Sequence, residues 1–558
     1  MASNEPFNFL NLDLYAQDTW RITPKLTWTF GVRDTFNSNP FNPHQQIGRL
    51  PGAFNSISHD VNQPLNAAIQ TNLGHLFSST PIAILQPRTA IAWQFEPDTV
   101  LRTGFGIFSD IMPGSIADLI GTNPPYVRTF QGGLLGTVGG TANAPGVPDS
   151  AVDATVAANQ RFGAGFQQGQ LSCASPLADP AKCLPPVAIT AVPDGKLHAP
   201  YFMQWSLGIE HQFGTTASLQ AQYVGTRAVN QPYLTQANGY QTVCQGCFAP
   251  FPYLQPADPR FASVTQFGTG ANSHYYGLQL TAMKRLGHGL QGQINYTWSH
   301  CLDTVSNGGF LQFSAGGILS PLPGDLRRDY GSCDYDIRHN LTGQYVYELT
   351  VKVRNHALGY ALNGWQVSGS VFWHSGVPFS VLSTPYSANG NGIVQGSGPQ
   401  FASLAPEVDP YCRHCNIPGV TQLGTVQWLN PDAFVSTVDP STGACLGGDT
   451  PAHCQFGNSR RNQFRGPGFF WSDMYLTKRI PLREKLAMRL EAQFFNVFNH
   501  PNFGLPSMVL AGVPGKSSTQ TGFGALTYTT SPPTGLLGVG LGGDSSPRMI
   551  AVQMKLEF

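Results

Sequence analysis

The last eleven residues, Arg548 to Phe558, constrain the fold more than any other stretch. Ile550, Val552, Met554, Leu556 and Phe558 alternate there with Ala551, Gln553, Lys555 and Glu557. A period of two puts these sets on opposite faces of a β-strand, one apolar and one polar. The strand stops on its apolar face at Phe558, with the terminal carboxylate beside the ring. A sheet in water has little use for that ending. A strand crossing a bilayer does, because its lower end meets an interface that suits both a ring and a charge.

The same alternation recurs along the chain. Leu12, Leu14 and Ala16 alternate with Asn11, Asp13 and Gln17; after the turn Thr23 to Lys25 come Leu26, Trp28, Phe30 and Val32 against Thr27, Thr29, Gly31 and Arg33. A second hairpin sets Thr89, Ile91, Trp93 and Phe95 beside Leu101, Thr103, Phe105 and Ile107, with Arg88 and Arg102 on the polar side. The third pairs Met203 to Glu210 with Leu219 to Tyr223 across Gly214-Thr-Thr216, and the fourth pairs Leu278 to Ala282 with Ile294 to Trp298. Leu341 to Leu349 and Trp365 to Trp373 make the fifth, over a longer link from Lys352 to Leu362. Phe470 to Leu476 and Leu486 to Phe494 make the sixth, through Ile480 to Glu484.

Six hairpins and the terminal strand predict thirteen strands, most near the roughly 9–11 residues that a tilted membrane strand requires. Short turns alternate with connections of roughly 35 to 90 residues, the asymmetry of an up-and-down outer-membrane barrel. With the short turns periplasmic, the thirteenth strand descends and Phe558 ends in the periplasm. A β-propeller, the soluble rival, has short and even spacing between its strands. The expected fold is therefore all-β, a transmembrane antiparallel up-and-down barrel with long extracellular loops. Bacterial single-chain barrels have even counts and an unclosed sheet edge cannot sit in lipid, so either one strand is missed or the chain lacks its N-terminal part. The start Met1-Ala-Ser-Asn-Glu-Pro carries no signal peptide, which points to a chain lacking its N-terminal part.

Composition agrees. Lys plus Arg and Asp plus Glu are 31 each, and this neutrality argues against a nucleic-acid partner, which would want a basic face. Charged residues are 11%, against about a quarter in soluble domains. No run approaches the roughly 20 apolar residues of a spanning helix.

Ten cysteines, Cys173, Cys183, Cys244, Cys247, Cys301, Cys333, Cys412, Cys415, Cys445 and Cys454, fall outside the predicted strand cores. Taken consecutively they make five pairs, each within one long connection, which reads as disulfides in an oxidising compartment. The two-residue spacing in Cys244-Gln-Gly-Cys247 and Cys412-Arg-His-Cys415 also fits zinc. Those motifs stand far apart for one zinc site, and no metal site is expected. Two cysteines three apart form a tight ring, so those bridges are the least favoured.

No nucleophile elbow, metalloprotease motif or P-loop is present, and no catalytic or cofactor-binding site is expected. Gly538-Val-Gly540-Leu-Gly-Gly543 has the dinucleotide spacing but precedes Asp544, two serines and Pro547 instead of a helix, and reads as a loop. His211, His274 and His300 stand at strand ends, as interfacial residues do. Arg33, Arg88, Arg102, Glu210, Arg489, Glu491, Lys555 and Glu557 fall on the polar, lumen-facing side. Such charges can hold a plug or steer a ligand; pairing across neighbouring strands is the simpler role. If the last two strands pair, Arg489, Glu491, Lys555 and Glu557 are expected to form a ladder of alternating sign.

Beyond periodicity, Tyr15-Ala-Gln-Asp-Thr-Trp-Arg-Ile-Thr-Pro24, Arg102-Thr-Gly-Phe-Gly-Ile-Phe108 and Gln204-Trp-Ser-Leu-Gly-Ile-Glu210 resemble TonB-dependent receptor barrels. So do Asp336-Ile-Arg-His-Asn340 and Phe494-Phe-Asn-Val-Phe-Asn-His-Pro-Asn-Phe-Gly504. The resemblance is to the Oar-like receptors abundant in acidobacteria and spans Tyr15 to Phe558. It implies a barrel of about 22 strands behind an N-terminal plug and a small regulatory domain, with uptake driven through TonB. On that reading, residues 1–558 are the C-terminal part of the barrel, thirteen strands of 22, with plug and regulatory domain absent and TonB reached only through the missing N-terminal region. The expected setting is the outer membrane of a Gram-negative bacterium, with lipid around the barrel. The terminal strand and Phe558 would be the signal for the barrel assembly machinery. An unidentified extracellular ligand would meet first the longest loops, Asp110–Ala199 and Gly376–Gly468. The alternative is a surface barrel that adheres to a matrix and transports nothing; a loop-borne hydrolase lacks a catalytic constellation.

Overall fold

The computed structural model describes residues 7–80, 83–109, 114–121, 123–126, 169–179, 183–184, 187–192, 195–238, 240–244, 247–250, 258–287, 289–304, 319–320, 326–351, 356–383, 401–412, 426–435, 457–483, 486–510, 522–530 and 547–558. Its frame is a meander of thirteen antiparallel strands, each paired with its neighbours in chain order. Hairpins are formed by β1 (Asn11–Thr23) with β2 (Leu26–Asn37), β3 (Ala83–Glu96) with β4 (Thr99–Ser109), and β5 (Tyr201–Phe213) with β6 (Ala217–Asn238). The next are β7 (Phe261–Gly287) with β8 (Leu290–Asp303), β9 (His339–Leu349) with β10 (Trp365–His374), and β11 (Phe469–Arg483) with β12 (Leu486–Phe495); β13 (Met549–Glu557) ends the series. The expected strand number and hairpin pairing are those observed.

Alternation decides which side chains reach lipid. Leu207, Ile209, Ile294, Trp298, Val552 and Met554 all stand exposed on the apolar face. At the short-turn rim this face carries exposed Trp20, Trp93, Phe213 and Tyr347; near the opposite rim it carries Tyr276, Trp298 and Trp373. Two aromatic rows bounding an apolar band are the girdles of a membrane barrel. Where a strand lacks a side chain, a neighbour's ring covers the gap. Gly225 of β6 lies opposite Trp205 of β5, and a Cβ there would come within 2.3 Å of the indole. Gly225→Val is expected to displace Trp205 and cost about 1–3 kcal/mol, read as a lower yield of the heat-modifiable folded form on unboiled gels.

The strand lengths depart in part from the sequence expectation. The strands β6 and β7 are 22 and 27 residues long, well beyond what the bilayer needs, and carry the sheet into the loop region. There Val187–Ala191 joins β7 in parallel. The buried apolar clusters gather in the loop region, where they take in the loop-side ends of β6 and β7. One cluster joins Leu50, Phe54, Leu65, Val187, Phe261 and Val264. A second, with Ile47, Phe77, Ile120 and Phe267, takes in the helix α1 (Gly114–Gly121). A third joins Phe379, Leu429, Phe434, Phe464 and Phe523. A sheet with lipid outside and a wet lumen has no dry core, so burial concentrates in lobes built by the loops.

The sheet has two edges. Strand β1 is exposed along its whole length and β13 along nearly all of it, and among the described residues nothing pairs β1 with β13.

Candidate functional site

The polar side chains gather on one face of the sheet and at the loop lobes of one rim. The polar face is a wall of amides and hydroxyls. Asn295 accepts from Thr281 (3.1 Å) and Gln293 (2.9 Å) and donates to Thr342 at 3.3 Å, linking three strands.

Most of the sequence-predicted charges on this face are paired. Arg33 meets Asp13 of the adjacent strand at 2.6 Å, a partner the sequence reading did not single out. Arg102 and Glu210 lie 4.0 Å apart across β4 and β5. The Arg88 guanidinium stacks 4.6 Å from the centre of the Phe108 ring. The expected ladder of alternating sign at the last strands is not what the register produces: Arg489 lies directly opposite Lys555, and Glu491 opposite Gln553. The like charges are offset in other directions. Arg489 pairs with Glu491 of its own strand at 3.1 Å, and Glu557 reaches Arg479 on β11 at 3.1 Å. Gln493 and Gln553 both donate to Glu491.

The strongest polar constructions stand at the loop rim, and the sequence reading missed them. Asp258 and Arg260 form a fully buried pair (0% exposed) at 2.7 Å, before β7. Arg260 also donates to the carbonyls of Ser58 and Gln63, and His59 lies 3.1 Å from Asp258. One buried guanidinium thus ties the first long loop to the third. Arg461 does the same between two later loops. It pairs with Asp303 at the end of β8, donates to the backbone carbonyls of Asp303, Asp329 and Gly331, and approaches Asp334 at 3.9 Å. Beside it the buried Asp336 carboxylate accepts from the backbone N–H of Cys301 at 2.8 Å and gathers Arg465, Arg338 and His300.

Two disulfides are seen among the described residues, Cys173–Cys183 and Cys301–Cys333. Cys301 is not outside the strands as expected. It lies within β8, because pairing with β7 continues past Trp298 to Asp303. Cys244 and Cys247 are backbone register partners in a small two-stranded ribbon, and Cys412 is disulfide-bonded. Cys415, Cys445 and Cys454 lie outside the described residues. Replacing both Cys301 and Cys333 by Ser removes a 32-residue crosslink and is expected to cost about 3–4 kcal/mol by loop entropy. Faster protease cleavage of the loop after β8 in intact membranes would report it. No group of three or more metal-ligating side chains occurs among the described residues.

Residues 2–536 match a family profile described as the outer membrane beta barrel domain. No curated protein matches the chain. Among solved structures, it is similar to the outer membrane transporter YddB from Escherichia coli, with 9% identity over 98% of this chain and 45% of that one, at a TM-score of 0.41. It is also similar to the FrpB iron transporter from Neisseria meningitidis (10% identity, 100% and 46% covered, TM-score 0.37) and to the siderophore receptor PiuA from Acinetobacter baumannii (9%, 99% and 43%, TM-score 0.38). The chain spans less than half the length of these proteins. The profile match carries the assignment: the chain belongs to the outer membrane beta barrel domain family.

Proposed function

We propose that these thirteen strands are the C-terminal part of a larger TonB-dependent receptor barrel of the Oar-like group, which takes up an extracellular ligand and is not an enzyme. The observation that carries this reading is the pair of unpaired edges, β1 and β13. A lipid bilayer cannot satisfy the backbone groups of an open sheet edge, and among the described residues both edges are open; further strands joining β1 to β13 would remove them. A polar inner wall and packed loop lobes at one rim suit a protein that captures a solute outside and passes it inward. In this reading the plug and the regulatory domain lie in the remainder of the protein, and TonB acts through them. The exposed terminal strand with Phe558 is what the barrel assembly machinery would engage.

An antibody against the loop lobes, applied to outer membranes of the source cells, tests the proposal. It should detect a polypeptide well longer than 558 residues that co-purifies with TonB. Detection only of a species of this chain's own length, with no TonB attached, would overturn it.

A further inference from the structure

The link between β9 and β10 differs from the other connections at its rim. The helix α2 (His356–Leu362) occupies it, where the remaining hairpins turn within a few residues. Its sequence, His-Ala-Leu-Gly-Tyr-Ala-Leu, holds no Lys, Arg, Asp or Glu, and the next two residues are Asn363 and Gly364. Leu358, Tyr360 and Leu362 are 51%, 58% and 38% exposed. In water that is an exposed apolar patch.

What holds the helix shows which side of the sheet it is on. Lys478 lies directly opposite Trp365 in the β10–β11 register. By parity Trp365 shares a face with Val367, Val371 and Trp373, and Lys478 with Met474 and Leu476, which is the apolar, outward face. The ammonium of Lys478 donates to the carbonyls of Tyr360 (2.7 Å), Ala361 (3.0 Å) and Asn363 (2.5 Å). It also stands 5.0 Å from the centre of the Trp365 ring. Trp365 Nε1 donates to Ala361 O at 2.8 Å. Gly364, at φ +78°, lets the chain turn back so closely that a Cβ would meet the Arg479 carbonyl at 2.5 Å.

Lys478 is thus a cation on a lipid-facing surface, where an unpaired charge is costly. The carbonyls ending α2 accept its N–H hydrogen bonds and leave it 8% exposed. The helix in turn is fastened to the outside of the wall, level with the aromatic girdle to which Tyr347 belongs. We propose that α2 is an interfacial helix that lies in the phospholipid leaflet at the short-turn rim, with Leu358, Tyr360 and Leu362 inserted at the headgroup–acyl boundary and Lys478 as its fastening. A helix without Lys, Arg, Asp or Glu joined to a lipid-facing wall fits lipid, with the Tyr360 ring suited to the headgroup boundary. The inference rests on the membrane placement of the sheet and not on the receptor reading.

A nitroxide at Leu362→Cys, in outer membranes containing the protein, tests it by collision with oxygen and with a water-soluble nickel chelate. Lipid contact is expected to give frequent oxygen and rare nickel collisions. The same label at Leu177→Cys, exposed in a loop, should give the reverse ordering. Adding Lys478→Met should move the label at 362 toward the loop pattern as the helix loses its fastening. Frequent nickel collisions at 362 in the otherwise unaltered protein would overturn the proposal, and so would rare collisions with both reagents, the sign of a protein partner on the helix.

Discussion

Replacement of Arg461 by Ala is expected to detach the segment that ends the longest loop from the rim of the sheet, at a cost of about 3–5 kcal/mol. The size follows from burial. Arg461 and Asp303 are each only 3% exposed, so removing the guanidinium takes a buried cation from the Asp303 carboxylate, and the carbonyls of Asp329 and Gly331 lose a donor with it. The neighbouring Asn462 holds the same segment, donating through its side chain to Ser332 O and Asp334 at 2.7 Å each. The damage is therefore expected to be local. Hydrogen exchange should accelerate across residues 457–467 and 326–336, while the barrel strands β2 to β12 keep their protection. An Arg461→Lys variant should recover only part of the loss, because a single ammonium cannot span Asp303 and three backbone carbonyls as the planar guanidinium does. Unchanged exchange in both segments would show that the guanidinium does not hold the two loops together.

What the sequence made legible was governed by period. Alternation of Leu341 to Leu349 or Leu486 to Phe494 marks a strand whatever surrounds it, because bilayer and lumen impose the same two-sided constraint on every strand. Boundaries were less legible. Cys301, Leu302 and Asp303 continue β8 past its last outward aromatic, Trp298, since beyond the lipid the face pattern is released while backbone pairing goes on. The charge pairing was partly legible: Arg102 with Glu210 follows from parity and adjacency, whereas Arg489 opposite Lys555 depends on register, which alternation alone leaves free in steps of two. The buried clamps left the weakest trace. Asp258 and Arg260 are two apart in a proline-rich stretch, and nothing local says that Ser58, His59 and Gln63, some two hundred positions earlier, will enclose them. Asp336-Ile-Arg338 did stand out through its resemblance to receptor barrels, and in the structure its carboxylate collects Arg465, Arg338 and His300. The helix α2 went unread because seven residues without charge give too short a run for a helical period to declare itself.

The other large effect belongs to Asp258. Asp258→Ala leaves Arg260, itself fully buried, without the carboxylate that receives its backbone N–H at 3.0 Å and its Nε at 3.0 Å and 3.2 Å. A loss of about 3–5 kcal/mol is expected for the lobe around Phe54, Leu65 and Phe261. Asp258→Asn keeps the size and some of the hydrogen bonds but not the charge, so it should fall between wild type and Ala. The site also fixes a pH dependence. Burial pushes the Asp258 carboxyl upward, but hydrogen bonds from the Arg260 side chain and backbone and from His59 outweigh it and hold the carboxyl below its ordinary range. A carboxyl whose folded value is depressed contributes its full stabilisation above its unfolded value, about 3.9, and loses it as pH falls through the lower folded value. Protease cleavage within residues 50–70 should therefore stay slow from neutral pH down to about 4 and rise only in stronger acid. In Asp258→Ala the same cleavage should already be fast at neutral pH and should lack the acid rise that this carboxyl causes. Slow cleavage of the Ala variant at neutral pH would mean that the packing of Phe54 against Phe261, with ring centres 5.6 Å apart, closes the lobe without the ion pair.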